Sequence, residues 1–195
     1  MEPGDHVDRV FEGVELVDTT LRGASYERCT FRRCRVEASR LVDCRFTDCT
    51  FEHSELINVR LPDCSLVEVR FHGGRAMGVD FSGLRDLVLS VSFEEVALDY
   101  ANFSGLPLKK TVFQDCRLRE ASFSQCDLSG ATFAGCDLSG AVIRHAKLVQ
   151  TDFEGAQGVA LDASTCTLRF TRVDADTALL LLRDLGVRCD ELGVR

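Results

Sequence analysis

The sequence predicts an all-β fold in which the chain winds as a four-sided coil, followed by a short C-terminal α-helix. Two spacings within the 195 residues carry this prediction. An apolar residue stands at almost every fifth position, and phenylalanine returns at every twentieth position. A period of five fits neither an α-helix, at 3.6 residues, nor a flat strand, at 2, so we interpret it as a coil that turns a corner once per repeat.

The central positions of the fives run without a break from Phe11 to Phe81. The frame then shifts by two residues, resumes at Val88 and fades through Gly158 and Ala163. Of the 33 central positions 32 are apolar, where composition alone would give about 15. Nearly all positions two residues earlier are small or apolar, and nine of the ten cysteines stand there. We therefore expect each centre and its small neighbour to point inwards and to fill the interior.

Eight centres spaced one coil apart are all phenylalanine, which predicts a column of stacked rings. They are Phe11, Phe31, Phe51, Phe71, Phe93, Phe113, Phe133 and Phe153. Their spacing of 20 residues, apart from the one shift, indicates four fives per coil. Successive coils are expected to pair as in a parallel sheet, and about eight coils at ~4.8 Å each give a rod about 38 Å long. We call the side of the coil that carries this column the phenylalanine face, and the following sides the second, third and fourth faces.

The repeat also sets the predicted boundaries. Residues 1–10 are expected to form an N-terminal cap, residues 11–175 the coil, and residues 176–195 the C-terminal helix and tail, which carries the dimer contact. The two extra residues are expected to form a corner bulge within residues 82–87. Such a bulge is either a binding feature or a harmless insertion.

The ten cysteines raise the question of a metal site or a disulfide framework, and their spacing favours neither. No Cys-x-x-Cys pair occurs and the four histidines are scattered, so we predict no metal site and no cofactor. Pairs such as Cys44 and Cys64 would stack about 4.8 Å apart, beyond the usual Cβ separation of a disulfide. We interpret the cysteines as small, reduced core residues, which is typical of a cytoplasmic protein.

The composition excludes several classes of function. The 31 acidic and 23 basic residues give a formal charge of −8, which argues against direct binding to a nucleic-acid backbone. The start of the chain has no secretory pattern and no apolar run is long enough to span a membrane. No catalytic motif appears, and a filled coil leaves no pocket, so neither an enzyme nor a small-molecule substrate is predicted.

The chain resembles pentapeptide repeat proteins, whose consensus is Ala-(Asp/Asn)-Leu-x-x. The resemblance is clearest in Ala121–Gly140, which reads ASFSQCDLSGATFAGCDLSG, and it covers about residues 10–175. It implies that the coil is a right-handed quadrilateral parallel β-helix.

Two further segments are similar to the gyrase-protecting branch of that family, which includes the Qnr-type quinolone-resistance proteins, MfpA and the albicidin-resistance protein AlbG. Ala178–Val187 is similar to the C-terminal helix of the branch, and Val69–Phe81 is similar to the middle of AlbG. The resemblance implies a homodimer that binds DNA gyrase, with a rod that resembles duplex DNA in width, shape and acidity. The long projecting loops of Qnr proteins are absent from this sequence.

The C-terminal helix can also be predicted from its own residues. Asp174 or Asp176 is a suitable N-cap, and Gly186 can take the left-handed conformation that ends a helix. Five leucines surround its circumference, so one side is expected to cap the rod and the other to bind a second copy. The predicted dimer contacts are Leu179, Leu180, Leu181, Leu182 and Leu185. The alternative is a monomeric cap with an exposed apolar side.

Outward charges are distributed unevenly among the four faces. The net charge is −4 on the phenylalanine face, −3 on the second face, and 0 and +1 on the other two. The candidate partner-binding acids are Glu94, Glu95, Asp99, Asp115, Glu120, Asp137, Asp152 and Glu154. The alternative is that these acids only solvate the outside of a solenoid.

Together these features predict a dimeric rod that binds DNA gyrase, a type II topoisomerase, where the enzyme normally holds DNA, and that protects it from a gyrase-poisoning antibiotic. Protection would act by competing with DNA or by destabilising the drug-trapped cleavage complex. The alternative function is that of a rigid interaction module whose partner is unrelated to gyrase.

Overall fold

The computed structural model describes residues 1–85 and 88–187, with the backbone alone at Asp184. The chain forms a four-sided parallel β-solenoid of about eight coils, followed by the α-helix Ala175–Asp184. The predicted fold class is confirmed. Strands pair in parallel with residues 20 positions away, as Phe31 does with Phe51, and the register widens to 22 where Phe71 pairs with Phe93.

Each of the four faces is built from short strands that follow one another along the rod. The phenylalanine face contains Val10–Glu12, Thr30–Arg32, Thr50–Glu52, Val69–His72, Val91–Glu94, Val112–Gln114 and Thr132–Ala134. The second face contains Glu15–Val17, Arg35–Glu37, Glu55–Ile57 and Arg75–Met77, and the third face contains Thr20–Arg22 and Arg40–Val42. The fourth face contains Asp5–Val7, Ser25–Glu27, Arg45–Thr47, Ser65–Val67, Lys147–Val149 and Thr167–Arg169. Isolated β-bridges continue the second and third faces into the later coils.

The predicted phenylalanine column is present. Successive rings lie 4.6–5.1 Å apart between centroids, with interplanar angles of 5–16°. A second column on the third face contains Phe81, Phe103 and Phe123. Rings of the two columns meet edge to face, as between Phe103 and Phe113 at 5.8 Å and 81°. These contacts fill the interior, since stacked and T-shaped arrangements are the favourable ones for aromatic pairs.

The corners explain how a repeat of five residues closes a square. At most corners the residue two positions after the centre has a left-handed backbone, for example Asp43 at φ 53° and Glu95 at φ 55°. This conformation is uncommon for residues other than glycine, asparagine and aspartate, and it reverses the bend of the extended segment. Charged side chains at these corners project from the edges of the rod.

The cysteines are small core residues, as predicted, and they also form hydrogen bonds. The Sγ of Cys126 donates to the carbonyl of Phe103 at 3.0 Å, and that of Cys64 donates to Leu41 at 3.1 Å, so each thiol binds the centre of the preceding coil. Ser54 and Thr151 use their hydroxyls in the same way. All nine cysteines of the described region are free thiols, and burial raises the pKa of the Cys126 thiol to about 12. No three His, Cys, Asp or Glu side chains in that region converge as a metal site requires.

The coil begins earlier than the predicted boundary at residue 11. Asp5–Val7 pairs with Ser25–Glu27, and the buried His6 ring stacks on Tyr26 at 5.0 Å. The cap is therefore shorter than residues 1–10. The backbone carbonyl of Glu2 accepts hydrogen bonds from the Tyr26 hydroxyl and from the His6 ring, which holds the N-terminal residues against the first coil.

The two extra residues lie nearer the C terminus than the predicted bulge at 82–87. The N–H of Arg85 still donates to Cys64 in the regular spacing of 21, whereas the N–H of Ser90 donates to Leu66, 24 residues away. The insertion therefore lies between Arg85 and Ser90. Val88, predicted as a buried centre, is 62% exposed. Residues 86 and 87 fall outside the described region.

The C-terminal end of the solenoid is less regular. Ile143 pairs with Leu161, only 18 residues away, and the predicted centre Gly158 is exposed. The helix has the predicted caps, because the Asp174 side chain accepts from the N–H of Thr177 and Gly186 has φ 75°. In the described region no helix has the length and hydropathy needed to cross a bilayer. Residues 188–195 of the predicted tail lie outside that region.

Candidate interaction surface

The acidity of the phenylalanine face is confined to the C-terminal half of the rod. From residue 92 onwards its outward positions carry six acids and one basic residue, a net charge of −5: Glu94, Glu95, Asp115, Asp152, Glu154 and Asp174 against Arg172. Its N-terminal half carries two acids and three basic residues, a net charge of +1: Glu12 and Glu52 against Arg32, Arg33 and Arg70. Summation over the whole face hides this division.

Three of the predicted acids stand at left-handed corners and are exposed. Glu95 and Asp115, at φ 55° and 51°, lie one coil apart on the edge between the phenylalanine face and the second face. Glu120, at φ 56°, stands on the next edge. The Glu120 carboxylate lies over Gly140, where a Cβ would be only 2.5 Å from its Oε1, and Asp115 lies over Gly135 in the same way. Glycine at these corners therefore leaves room for the acids to lie along the rod.

Asp99 differs from the prediction because its carboxylate is not on the surface. The residue is only 4% exposed, and its Oδ2 accepts a hydrogen bond of 2.6 Å from Nε of Arg117, one coil away. Its Oδ1 is buried and has no hydrogen-bond partner among the described residues. Asp99 therefore contributes a structural ion pair, and we exclude it from the candidate surface.

Asp137 is used mainly to close a turn. Its Oδ1 accepts hydrogen bonds from the hydroxyl and the N–H of Ser139, and its Oδ2 accepts from Arg119 at 2.6 Å. The hydrogen bonds from Ser139, assisted by Arg119, lower the pKa of this carboxyl to about 2. The Asp-x-Ser spacing recurs at Asp127 and Asp162 with the same hydrogen bonds. This spacing is visible in the sequence and separates turn-forming acids from the others.

The remaining predicted acids differ in their partners. Asp152 and Glu154 both bind Arg172, with Asp152 Oδ2 at 2.7 Å from Nη1. Glu94 Oε2 lies 3.3 Å from Nδ1 of His72. Glu95, Asp115 and Glu120 form no ion pair with any residue of the described region. These three corner acids, which we call the corner acids below, are the most available to an external cation.

The helix has the two sides that its leucines predict. Leu181 packs against the core, and Leu179 and Leu182 are half-buried. Leu180 is 46% exposed and Leu185 is 59% exposed. The inner side therefore covers the last coil, and the outer side leaves apolar surface in contact with solvent.

Family models confirm the origin of the repeat. The model of the pentapeptide repeat region matches residues 8–81 and 24–103, and the model of eight pentapeptide repeats matches residues 116–155. The chain belongs to the pentapeptide repeat family. Most residues of the solenoid of this pentapeptide repeat protein lie within the matched segments.

Solved structures with a similar fold include several members of the family. A trypsin-treated variant of QnrB1, a plasmid-mediated fluoroquinolone resistance protein, is 23% identical, with 97% of this chain and 99% of that chain covered and a TM-score of 0.36. HetL, a pentapeptide repeat protein involved in heterocyst differentiation regulation in the cyanobacterium Nostoc, is 17% identical, with 85% and 87% covered and a TM-score of 0.31. A pentapeptide repeat protein of the Arabidopsis thaliana thylakoid lumen is 16% identical, with 70% and 69% covered and a TM-score of 0.25. A search of curated protein sequences finds no match.

Proposed function

We propose that this pentapeptide repeat protein binds a type II topoisomerase, chiefly DNA gyrase, where the enzyme normally holds DNA, and protects it from a gyrase-poisoning antibiotic. The observation that carries the proposal is the concentration of exposed carboxylates on one side of the C-terminal half of the rod. The similarity of the C-terminal helix to the gyrase-protecting branch supports the same partner. A protein surface that holds DNA is basic, so it is complementary to these carboxylates.

The magnitude of the charge limits the kind of mimicry that the rod can perform. Five net charges spread over four coil spacings of ~4.8 Å correspond to about one charge per 4 Å, whereas duplex DNA carries one per ~1.7 Å. The rod is therefore less charged than DNA along its whole length. Binding would depend on local groups such as Glu95 and Asp115, which stand one coil apart on one edge.

The proposal includes a homodimer formed through the C-terminal helices. A twofold axis would bring the exposed sides of Leu180 and Leu185 against the same residues of a second copy. It would also place the acidic half of each rod next to the dimer centre and double the length of the acidic surface. We place the protein in the cytoplasm, where its buried thiols would stay reduced.

The test is a DNA supercoiling assay with purified gyrase, with and without a gyrase poison, titrated with this protein. We expect inhibition of supercoiling without the poison, and less poison-trapped cleaved DNA when both are present. Glu95→Lys with Asp115→Lys should weaken both effects at least tenfold. The matched control is Asp43→Lys with Asp63→Lys, because these acids also stand one coil apart at left-handed corners, but on the edge between the third and fourth faces.

Equal loss in the two double variants would show that general charge, and not this edge, is responsible. No inhibition and no protection at micromolar protein would contradict the gyrase proposal and leave the rigid module with an unrelated partner. Order of addition separates the two protection mechanisms. Competition with DNA requires the protein before DNA binds, whereas destabilisation of the cleavage complex also occurs after trapping.

A further inference from the structure

The fourth face changes its sign of charge at the middle of the rod. Its N-terminal half carries five acids and two basic residues, a net charge of −3: Asp5, Asp8, Glu27, Asp48 and Glu68 with Arg28 and Arg45. Its C-terminal half carries four basic residues and one acid, a net charge of +3: Lys109, Lys110, Lys147 and Arg169 with Asp127. All of these side chains are exposed except Asp127, which is half-buried. The face is therefore a long electric dipole.

The exposed apolar side chains of this face are placed symmetrically about the same midpoint. The face has nine levels, with His6 at the first and Leu168 at the last, and the insertion occupies the fifth. Val7 at the first level is 48% exposed, Val88 at the fifth is 62% exposed, and Phe170 at the ninth is 74% exposed. Phe170 has the greatest exposure of these apolar groups and lies outside the stacked columns.

We propose that the fourth face is an interface between two copies of this chain that lie side by side and antiparallel. A twofold axis through the fifth level lays the acidic half of each copy on the basic half of the other, and it brings Val7 of one copy opposite Phe170 of the second copy. Val88 then lies beside the axis and faces its own counterpart. A parallel arrangement would instead place like charges together, which is repulsive.

A surface groove at the midpoint shows where the central contacts form. The groove has a volume of about 390 Å³ and is lined by Ser90, with Glu68 on its N-terminal side and Lys110 on its C-terminal side. Glu68 and Lys110 stand one level before and one level after the axis, and both are left-handed corner residues, at φ 55° and 58°. The twofold operation therefore brings Glu68 of each copy opposite Lys110 of the other, and the pair occurs twice.

The size of the face indicates a weak, salt-sensitive association. A strip about 38 Å long and about 13 Å wide gives about 500 Å² per copy, or about 1,000 Å² in total, which is near the lower limit for a specific interface. The contact depends on charge, so it should weaken as salt is added. It leaves the edge that carries Glu95 and Asp115 uncovered, so it is independent of the proposed binding to gyrase.

The experiment measures the mass of the full-length protein by sedimentation velocity at low and high salt. We expect a doubling of mass at low salt, relative to the species at high salt, that is lost in Glu68→Lys and in Lys110→Glu. An equimolar mixture of the two variants should recover the doubling, because the mixed dimer has one central pair with its charges exchanged and the other pair unchanged. Arg60→Glu on the third face is the control and should behave as the parent.

Small-angle scattering gives the second readout. Lateral association should leave the maximum dimension close to that of the high-salt species, whereas an end-to-end contact through the helices would nearly double it. The proposal is overturned if the parent shows no doubling at low salt, if the mixture stays at the mass of the single variants, or if the doubled species is twice as long. Thermal melting of each variant confirms that both exposed positions tolerate the substitutions.

Discussion

Replacement of Phe113 by alanine tests the stacked interior at its centre. The ring is fully buried and lies between Phe93 and Phe133, with centroid distances of 5.1 and 4.9 Å. It also meets Phe103 and Phe123 edge to face at 5.8 and 5.7 Å. Truncation removes all four contacts, and rigid coils on either side prevent the neighbours from closing the gap.

The expected cost is about 4–5 kcal/mol, the upper part of the range for Phe→Ala in a core, because four aromatic contacts are lost together with the buried area. For a chain of this size that corresponds to a fall in Tm of about 10–15 °C, measured by circular dichroism. The control is Phe170→Ala, which removes the same group from a 74% exposed position and should cost less than about 0.5 kcal/mol. Equal melting of the two variants, within about 2 °C, would refute the stacked column.

Three other substitutions test local features of the candidate surface. Gly140→Ala should destabilise the fold by about 1–2 kcal/mol in denaturant titrations, because alanine is strained at φ 74° and its Cβ would lie 2.5 Å from Glu120 Oε1. Asp137→Asn should flatten the dependence of Tm on pH in the acid range. The folded pKa of about 2 is below the ordinary 3.8, so the carboxylate contributes stability above about pH 4 that is lost as the pH falls towards 2. Arg117→Ala should cost about 2 kcal/mol by leaving the buried Asp99 carboxylate unpaired, and Asp99→Ala with Arg117→Ala should cost less than Arg117→Ala alone.

Each of these expectations has a result that would contradict it. Gly105→Ala is the control for Gly140→Ala, because Gly105 has φ 79° but open space where its Cβ would stand, so an equal loss would leave no role for the carboxylate. Unchanged acid denaturation in Asp137→Asn would contradict the depressed pKa. A double variant that is less stable than Arg117→Ala would show that the ion pair is not the source of the cost.

The solenoid could be predicted from the sequence because its interior is written as a strict period. Every coil buries the same two positions, so Phe31, Phe51 and Phe71 repeat the same environment and the same residue type. The pattern is lost where a polar group fills a central position. His6 follows the period, but its ring is polar, so the apolar spacing places the start of the coil one strand too late. The position of the insertion depends on backbone pairing between Arg85 and Ser90, which apolar spacing does not record.

The candidate surface was less predictable than the interior, because net charge does not show which carboxylates are already used. Asp99 and Asp137 count as outward acids in the sequence, yet one is buried against Arg117 and the other closes a turn with Ser139. Their partners come from the next coil or from two residues further along the chain. The Asp-x-Ser spacing would have identified Asp137, whereas the burial of Asp99 has no comparable signal.

The most direct test of the functional proposal is a binding titration of labelled protein with gyrase in the presence of increasing linear duplex DNA. The proposal predicts that DNA displaces the protein, and that Glu95→Lys with Asp115→Lys lowers the affinity for gyrase whereas Asp43→Lys with Asp63→Lys does not. Simultaneous binding of DNA and protein, each with unchanged affinity, would contradict the claim that the rod occupies the surface where gyrase holds DNA.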